Sequence, residues 1–306
     1  MSKRDLLSLR DLSPQEIRGL VLRAAELKRG SPGAILAGKT VVLPFQKPSL
    51  RTRASFHVAV QQLGGYSFYL GQEEVGLGTR EPVSDVARVL SRYVDCIVAR
   101  VFSHATMEEL ARYATVPVIN ALSDWEHPCQ ALADLLTVHE KRGRLEGVTI
   151  AYVGDGNNVA RSLCLGAAAV GAPFTMASPP GYGLDDHTLS LARQWSGGEG
   201  DSRVRSLQDP AEAVRGADVV YTDVWTSMGQ EEERERRRRD FAGYTVDERL
   251  LALAGRGALL MHPMPAHYGE EVSPGLLEHP QSVAYDQAEN RLHAQKAVLE
   301  FLLGGR

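Results

Sequence analysis

Short apolar runs alternate with amphipathic helical stretches along most of the chain, and this alternation restricts the fold more than any other feature. Thr40–Phe45 reads as a buried strand, followed by a helix from about Thr52 to Leu63 that Gly64-Gly65 stops. The same rhythm continues with strand Tyr66–Leu70, helix Ser84–Tyr93, strand Cys96–Arg100, helix Ala105–Tyr113, strand Val116–Asn120 and helix Cys129–Lys141. A second series runs from strand Val148–Val153 through helix Asn158–Val170, strand Phe174–Ala177, helix Asp185–Gln194, strand Asp218–Thr222, helices Glu231–Phe241 and Asp247–Ala254, to strand Ala258–Met261. A parallel strand cannot follow its neighbour through a tight turn, so the intervening helices act as crossovers. The pattern predicts an α/β fold of mainly parallel sheets flanked by helices.

Two further helices bracket these series. Ser13 suits an N-cap and Pro14 the first helical position, with Ile17, Leu20, Val21, Ala24 and Leu27 on one face. Gln287–Leu303 reads as a long amphipathic helix. The Lys141–Arg144 break after a long helix divides the series, so we expect domains at 1–143 and 144–286, with a terminal segment at 287–306.

Several function classes are disfavoured. A net charge of −4 gives no general attraction to nucleic acid or anionic membrane. In Glu231–Asp240, acids precede bases at helical spacing, which reads as a solvated helix face. Cys96, Cys129 and Cys164 are odd in number and widely spaced, arguing against a disulfide framework or cysteine zinc site. The N-terminal stretch lacks a signal peptide's apolar core, and no stretch is long and apolar enough to span a bilayer. A cytoplasmic protein is expected. The histidines lack HExxH-type spacing, and Gly154-Asp155-Gly156 lacks the full GxGxxG pattern, so neither a metal nor a nicotinamide cofactor is expected.

Ser49-Leu50-Arg51-Thr52-Arg53 follows a buried strand and begins a helix. Free N–H groups and the helix dipole favour an anion at such a point. Ser49 alone could be an ordinary cap. Two arginines beside the positive end of a helix dipole fit that reading poorly, and their forked guanidinium groups suit phosphate oxygens. Arg100 closes another apolar strand, and His127-Pro128-Cys129-Gln130 precedes a helix start after Asn120 and Asp124. Ligands of open parallel sheets bind at the carboxyl ends of strands, so Arg51, Arg53, Arg100, His127 and Gln130 could converge.

Phe45–Phe56, Arg100 and His127–Thr137 together resemble the aspartate/ornithine carbamoyltransferase family, whose pattern F-x-x-x-S-x-R-T-R-x-S-F matches the first run. The similarity extends from the first helix to the last. Asp223–Glu231 (DVWTSMGQE), the turn Gly154–Asn158 and Asp286–His293 (DQAENRLH) resemble the ornithine branch. The resemblance implies two domains, the first for carbamoyl phosphate and the second for the acceptor amine, with the last helix packing back on the first domain. It implies carbamoyl transfer to L-ornithine, giving L-citrulline and phosphate, in arginine biosynthesis or, in reverse, arginine catabolism. It also implies a homotrimer, or a multiple of trimers, with active sites between subunits.

Carried over residue by residue, Ser49, Arg51, Thr52 and Arg53 hold the phosphate, with Leu50 contributing backbone. Arg100, His127 and Thr52 polarise the carbamoyl carbonyl, where each well-placed donor can lower the barrier by about 3 kcal/mol. Gln130 and the backbone carbonyls of Pro263 and Met264 receive the carbamoyl amide, and Arg291 joins the carbamoyl phosphate set. Asn158, Ser227 and Met228 hold the α-groups of ornithine, and Asp223 orients its side-chain amine. Trp225 reads as structure. Other acceptors in the family are N-acylornithine, putrescine and aspartate; aspartate needs basic side chains that Ser227-Met228-Gly229 lacks. A non-catalytic family member is the remaining alternative.

Two positions depart from the family. Gly76 stands where a polar side chain usually reaches the phosphate across a subunit interface, leaving Gln72 or Arg80 as substitutes; Gly76 and Gly78 suggest a mobile lid. Pro263 replaces the ornithine branch's cysteine, giving His262-Pro263-Met264-Pro265, as in the aspartate branch. Proline keeps its carbonyl and loses its N–H, so only the thiol's contribution disappears. Pro263→Cys should therefore change the acceptor step and leave carbamoyl phosphate affinity unaltered. Steady-state kinetics of both proteins test this, and a change confined to carbamoyl phosphate affinity would contradict it.

Overall fold

The computed structural model describes residues 3–30, 33–197 and 203–304. Contacts divide the chain into two compact units, one formed by Met1–Leu136 with Glu289–Arg306 and the other by Thr137–Ala288. The first contains α1 (Pro14–Arg29), β1 (Thr40–Phe45), α2 (Leu50–Gln62), β2 (Tyr66–Gly71), α3 (Gln72–Val75), α4 (Val83–Leu90), β3 (Cys96–Arg100), α5 (His104–Tyr113), β4 (Val118–Leu122) and the start of α6 (Pro128–Arg142). The second contains β5 (Ile150–Val153), α7 (Asn158–Val170), β6 (Phe174–Ala177), α8 (Asp186–Ser196), β7 (Val204–Leu207), α9 (Pro210–Val214), β8 (Val219–Thr222), α10 (Arg234–Asp240), α11 (Glu248–Ala252) and β9 (Leu259–Met261). Helix α12 (Ala284–Leu303) returns the chain to the first unit. The divisions fall inside α6, ahead of the 143/144 boundary read from sequence, and inside α12, just beyond 286/287.

Both sheets are wholly parallel, as the alternation predicts. The first has strand order β2-β1-β3-β4 and the second β7-β6-β5-β8-β9. Each order reverses its winding once, between β1 and β3 and between β5 and β8. At such a switch point the loops leaving adjacent strands diverge to opposite faces and open a crevice. The loops there are Gln46–Ser49 and Val101–Ser103 in one unit, and Gly154–Asn157 and the segment after Thr222 in the other.

Each unit buries its own core. Val42, Ile97, Ala99 and Val118 pack with Val86, Leu90 and Leu110 in the first. In the second, Val153, Val220 and Leu260 pack with Trp225, Phe241 and Val246. Trp225 stacks on Phe241, so its structural reading holds. Helix α1 starts as expected: the Ser13 hydroxyl accepts from the Glu16 N–H, and Glu16 reciprocates at the Ser13 N–H, forming a capping box. Helix α12 packs on the first unit through Arg23–Glu300, Lys28–Asn290 and the Lys296 ammonium on the Leu27 carbonyl, as the resemblance implies.

Some elements differ from expectation. Strand β7 and helices α3 and α9 are additional. Only Val204 of β7 is fully buried, so its apolar signal is weak, and α9 is a five-residue helix too short to show a period. The expected helix Glu231–Phe241 is a 3-10 turn at Glu231–Glu233 followed by α10. Its face is not wholly solvated, because Arg237 is buried. Arg237 pairs with Asp155 at 3.1 Å and Glu233 at 2.9 Å, and donates to the Trp225 carbonyl. Among the described residues, no helix is long and apolar enough to cross a membrane.

The glycine turn after β5 has a packing explanation. The Gly156 N–H donates to the Tyr182 carbonyl at 2.7 Å, and a Cβ on Gly156 would lie 2.5 Å from the Gly183 carbonyl carbon. No side chain fits against that backbone. Gly156→Ala should therefore cost about 1–3 kcal/mol of stability, read as a lower urea midpoint. An unchanged midpoint would mean that the 182–184 segment yields freely.

Candidate functional site

In the first unit the residues singled out by sequence gather at the β1/β3 switch point. Ser49 caps α2 in an extended conformation, and its hydroxyl accepts from the Thr52 N–H at 3.3 Å. Thr52 is fully buried, and its hydroxyl oxygen accepts from Arg291 Nη2 of α12 at 2.5 Å. That bond leaves the Thr52 proton available to a ligand. Arg51 is half-buried, and burial lowers its pKa. Leu50 is 78% exposed, which leaves its backbone as the part able to serve the site. Arg53 turns differently: its guanidinium lies 4.0 Å from the centre of the Tyr69 ring.

Arg100 ends β3 where the register with β4 shifts. Burial, then the neighbouring Arg291 and Arg51, pull its pKa down to about 10, so it remains a cation at neutral pH. His127 is buried before α6. Burial, then Arg291 and Arg100, hold its pKa well below 6.5, so its imidazole is neutral. The structure thus brings Arg51, Thr52, Arg100, His127 and Arg291 into one neighbourhood. Clustered cations and a neutral imidazole can hold an anion and polarise a carbonyl without supplying a competing carboxylate.

Supporting contacts fix these groups. Gln130 donates from Nε2 to Asp134 at 2.8 Å, while its buried Oε1 has no hydrogen-bond partner among the described residues. The amide is therefore oriented with its acceptor free. The turn carrying His127 is tied down by Glu126, which accepts from the Ser8 hydroxyl and from the Leu9 N–H. Asp124 instead accepts from the His104 N–H at the start of α5. Gly76 ends α3 in the left-handed region at φ 58°, and a Cβ there would lie 2.4 Å from Arg80 Cβ. Glycine at 76 is thus demanded by the turn. Arg80 pairs with Glu81 at 3.1 Å, and the Gln72 amide stands 3.5 Å from the Thr79 hydroxyl.

In the second unit, Asn158 and Asp223 flank the β5/β8 switch point. Asp223 is buried and accepts from Asn157 Nδ2 at 2.8 Å. Burial raises its pKa, and the Asn157 bond opposes that rise. Asn157 also caps α7, its Oδ1 accepting from the Val159 and Ala160 N–H groups. Asn158 is half-buried beside it. Ser227 and Met228 lie on the loop after β8, where the Ser227 N–H donates to Gln230 and Met228 is 45% exposed. Arg237 braces this loop through the Trp225 carbonyl and Asp155. Burial pushes Asp155 up to about 6 against the pull of Arg237.

Pro263 is buried and Met264 half-buried on the loop after β9. Met264 has φ 53°, a sparsely populated region for a residue with a side chain. His262 holds it there: its Nδ1 accepts from the Met264 N–H at 2.9 Å and its Nε2 lies 3.0 Å from Glu271 Oε1. The proton therefore sits on Nε2 and is donated to Glu271. Gln287 adds a bond to the His262 N–H and another to the Tyr221 hydroxyl.

Sequence reasoning did not find Asn157, Asp134, Glu126, Arg237, Glu271 or Gln287. Asn157 carried a readable signal, an asparagine before an apolar helix; the others act through partners remote in sequence.

The neutral state of His127 has a measurable consequence. A histidine whose folded pKa lies below its unfolded value contributes stability above about pH 6.5 that is lost as pH falls towards the folded pKa. Relative to His127→Gln, the natural protein should lose about 1.4 kcal/mol per pH unit below 6.5. Urea denaturation of both proteins at pH 7.5 and 5.5 measures this. A constant difference would mean that His127 titrates alike in the folded and unfolded protein.

Comparison with known proteins places this architecture. Residues 4–140 match the carbamoyl-P binding domain of aspartate/ornithine carbamoyltransferase, and residues 146–302 match its Asp/Orn binding domain. The chain is 51% identical to an ornithine carbamoyltransferase of Pyrococcus abyssi, over 99% of this chain and 96% of that protein. It is 53% identical to one from Acidothermus cellulolyticus, over 99% and 98%. The solved structure of ornithine carbamoyltransferase from Pyrococcus furiosus superposes with a TM-score of 0.94 at 50% identity, covering 100% of this chain and 98% of that one. The chain belongs to the aspartate/ornithine carbamoyltransferase family.

Proposed function

We propose that this protein transfers the carbamoyl group of carbamoyl phosphate to the side-chain amine of L-ornithine, yielding L-citrulline and phosphate. The observation that carries this reading is the cluster of Arg51, Thr52, Arg100 and Arg291 around a neutral His127 at one switch point. Ser49, Arg51, Thr52 and Arg53, with the Leu50 backbone, are assigned to the phosphate, and Arg291 to the same substrate. Arg100, the Thr52 hydroxyl and His127 are assigned to the carbamoyl oxygen. Gln130 suits the carbamoyl amide because Asp134 fixes its Nε2 and leaves Oε1 to accept an N–H. The carbonyls of Pro263 and Met264 are assigned to the same amide.

The amine attacks the carbamoyl carbon, a C–N bond forms, and negative charge collects on the carbonyl oxygen. Collapse breaks the C–O bond to phosphate, which leaves with the bonding electrons and accepts the proton. Fixed donors act where that charge appears. The ornithine side-chain amine has a solution pKa of about 10, like lysine, and must lose a proton before attack. Asp223, oriented by Asn157, is assigned to position it, with Asn158, Ser227 and Met228 holding the α-groups. Positioning and charge stabilisation supply the rate, and the transfer calls for no cofactor or metal. We assign the enzyme to the cytoplasm as a homotrimer or multiple of trimers.

Incubation of the purified protein with carbamoyl phosphate and, separately, ornithine, aspartate, acetylornithine and putrescine tests the reading. Carbamoylated product should form with ornithine. Product only with another acceptor would reassign the substrate, and binding of carbamoyl phosphate without product from any acceptor would mark a non-catalytic member.

A further inference from the structure

We propose that His267, Glu270 and Glu271 form a binding site for a divalent transition-metal ion, separate from the groups assigned to the transfer reaction. A nitrogen of His267 and one carboxylate oxygen from each glutamate lie within 4.8 Å of one another. The turn that gathers them is local: the Glu270 N–H donates to the His267 carbonyl at 2.9 Å, and the Gly269 N–H to the Val272 carbonyl at 2.8 Å.

The arrangement of partners points to a ligand. Glu270 and Glu271 are 3% and 0% exposed, so their charges are removed from water. Among the described residues, the hydrogen bonds of these carboxylates and the arginine ion pairs of Glu270 fall on Oε1. Arg234 Nη2 and Arg238 Nε lie 2.5 and 3.4 Å from Glu270 Oε1, and His262 Nε2 and the His267 N–H lie 3.0 and 2.6 Å from Glu271 Oε1. Glu270 Oε2, Glu271 Oε2 and His267 Nδ1 are buried with no hydrogen-bond partner among the described residues. His267 Nδ1 stands 3.9 Å from Glu270 Oε2, too far for a hydrogen bond.

Buried polar atoms of this kind call for an occupant. A cation coordinated by the two carboxylate oxygens and the imidazole nitrogen would satisfy all three at once. Arg234 and Arg238 flank Glu270, whereas Glu271 Oε1 is met by the His262 ring and the His267 N–H. One imidazole nitrogen and two carboxylate oxygens suit zinc, cobalt or manganese better than magnesium or calcium, whose sites are built of oxygen. Ligand atoms around a tetrahedral zinc stand roughly 3.3 Å apart, so the trio would draw in by roughly 1 Å. The His267 side chain is 40% exposed, which permits that movement and leaves water access to the remaining coordination position.

The test is direct metal uptake by the full-length protein after treatment with a chelator, followed by isothermal titration with Zn2+ and by visible absorption with Co2+. One ion per chain should bind, with a four- or five-coordinate cobalt spectrum. His267→Ala and Glu270→Gln should each weaken binding at least about tenfold, with circular dichroism confirming that both variants are folded. Absence of saturable uptake by the natural protein would overturn the proposal, since a water would then fill the space. Equal uptake by both variants would overturn it as well, by placing the ion elsewhere. Neither readout depends on carbamoyl transfer.

Discussion

The parallel direction of every strand is the constraint on which the rest of the structure depends. In a parallel sheet all carboxyl ends lie along one edge, and each must be followed by a crossover whose helix begins at that edge. Helix N-termini, with their unsatisfied N–H groups, therefore accumulate where the strands end. A single reversal of winding in each unit then opens one place where loops diverge. Ser49–Arg53 and Arg100 stand at the first reversal, and Asn157–Asn158 and Asp223 at the second. The topology thus selects two positions, and the side chains there determine what each can bind.

At the first position, charge and burial act together. Burying guanidinium groups beside one another is unfavourable, as the lowered pKa of Arg100 shows. Burial, and then the same crowding by Arg291 and Arg100, keep His127 neutral. A neutral imidazole can donate one hydrogen bond without competing with the guanidinium groups for an anion. A negative charge placed among these cations would relieve those unfavourable electrostatics. Thr52, held by Arg291 from the last helix, ties the cluster to a residue 239 positions away.

The motifs were legible in the sequence because their physics is local. Ser49 caps the helix it begins, Pro14 starts α1, and Asn158–Val170 ends at Gly171 in the left-handed conformation. The groups that orient the motifs were not legible. Asn157 reaches Asp223 across 66 residues, and Glu126 reaches Ser8 across 118. Periodicity carries no record of such pairs. Arg237 is the clearest failure: in sequence it is one of four consecutive arginines, and only Asp155 and the Trp225 carbonyl distinguish it from its exposed neighbours. Strand β7 was missed for a different reason, since a four-residue edge strand with two exposed polar side chains shows no apolar run.

The two departures from the family pattern share a physical character. Gly76 and Pro263 both lack a functional side chain, and both are constrained through the backbone. At Gly76 the left-handed turn and the approach of Arg80 Cβ exclude any side chain. At Pro263 the thiol is absent, yet the carbonyls of the loop remain, and their direction is set by His262 through its bond to the strained Met264 N–H. His262 is in turn held by Glu271 and Gln287. A proline in this loop also removes an N–H that would need a partner in a buried position. The direction of the loop's carbonyls therefore rests on His262 and Glu271 rather than on the side chain of residue 263.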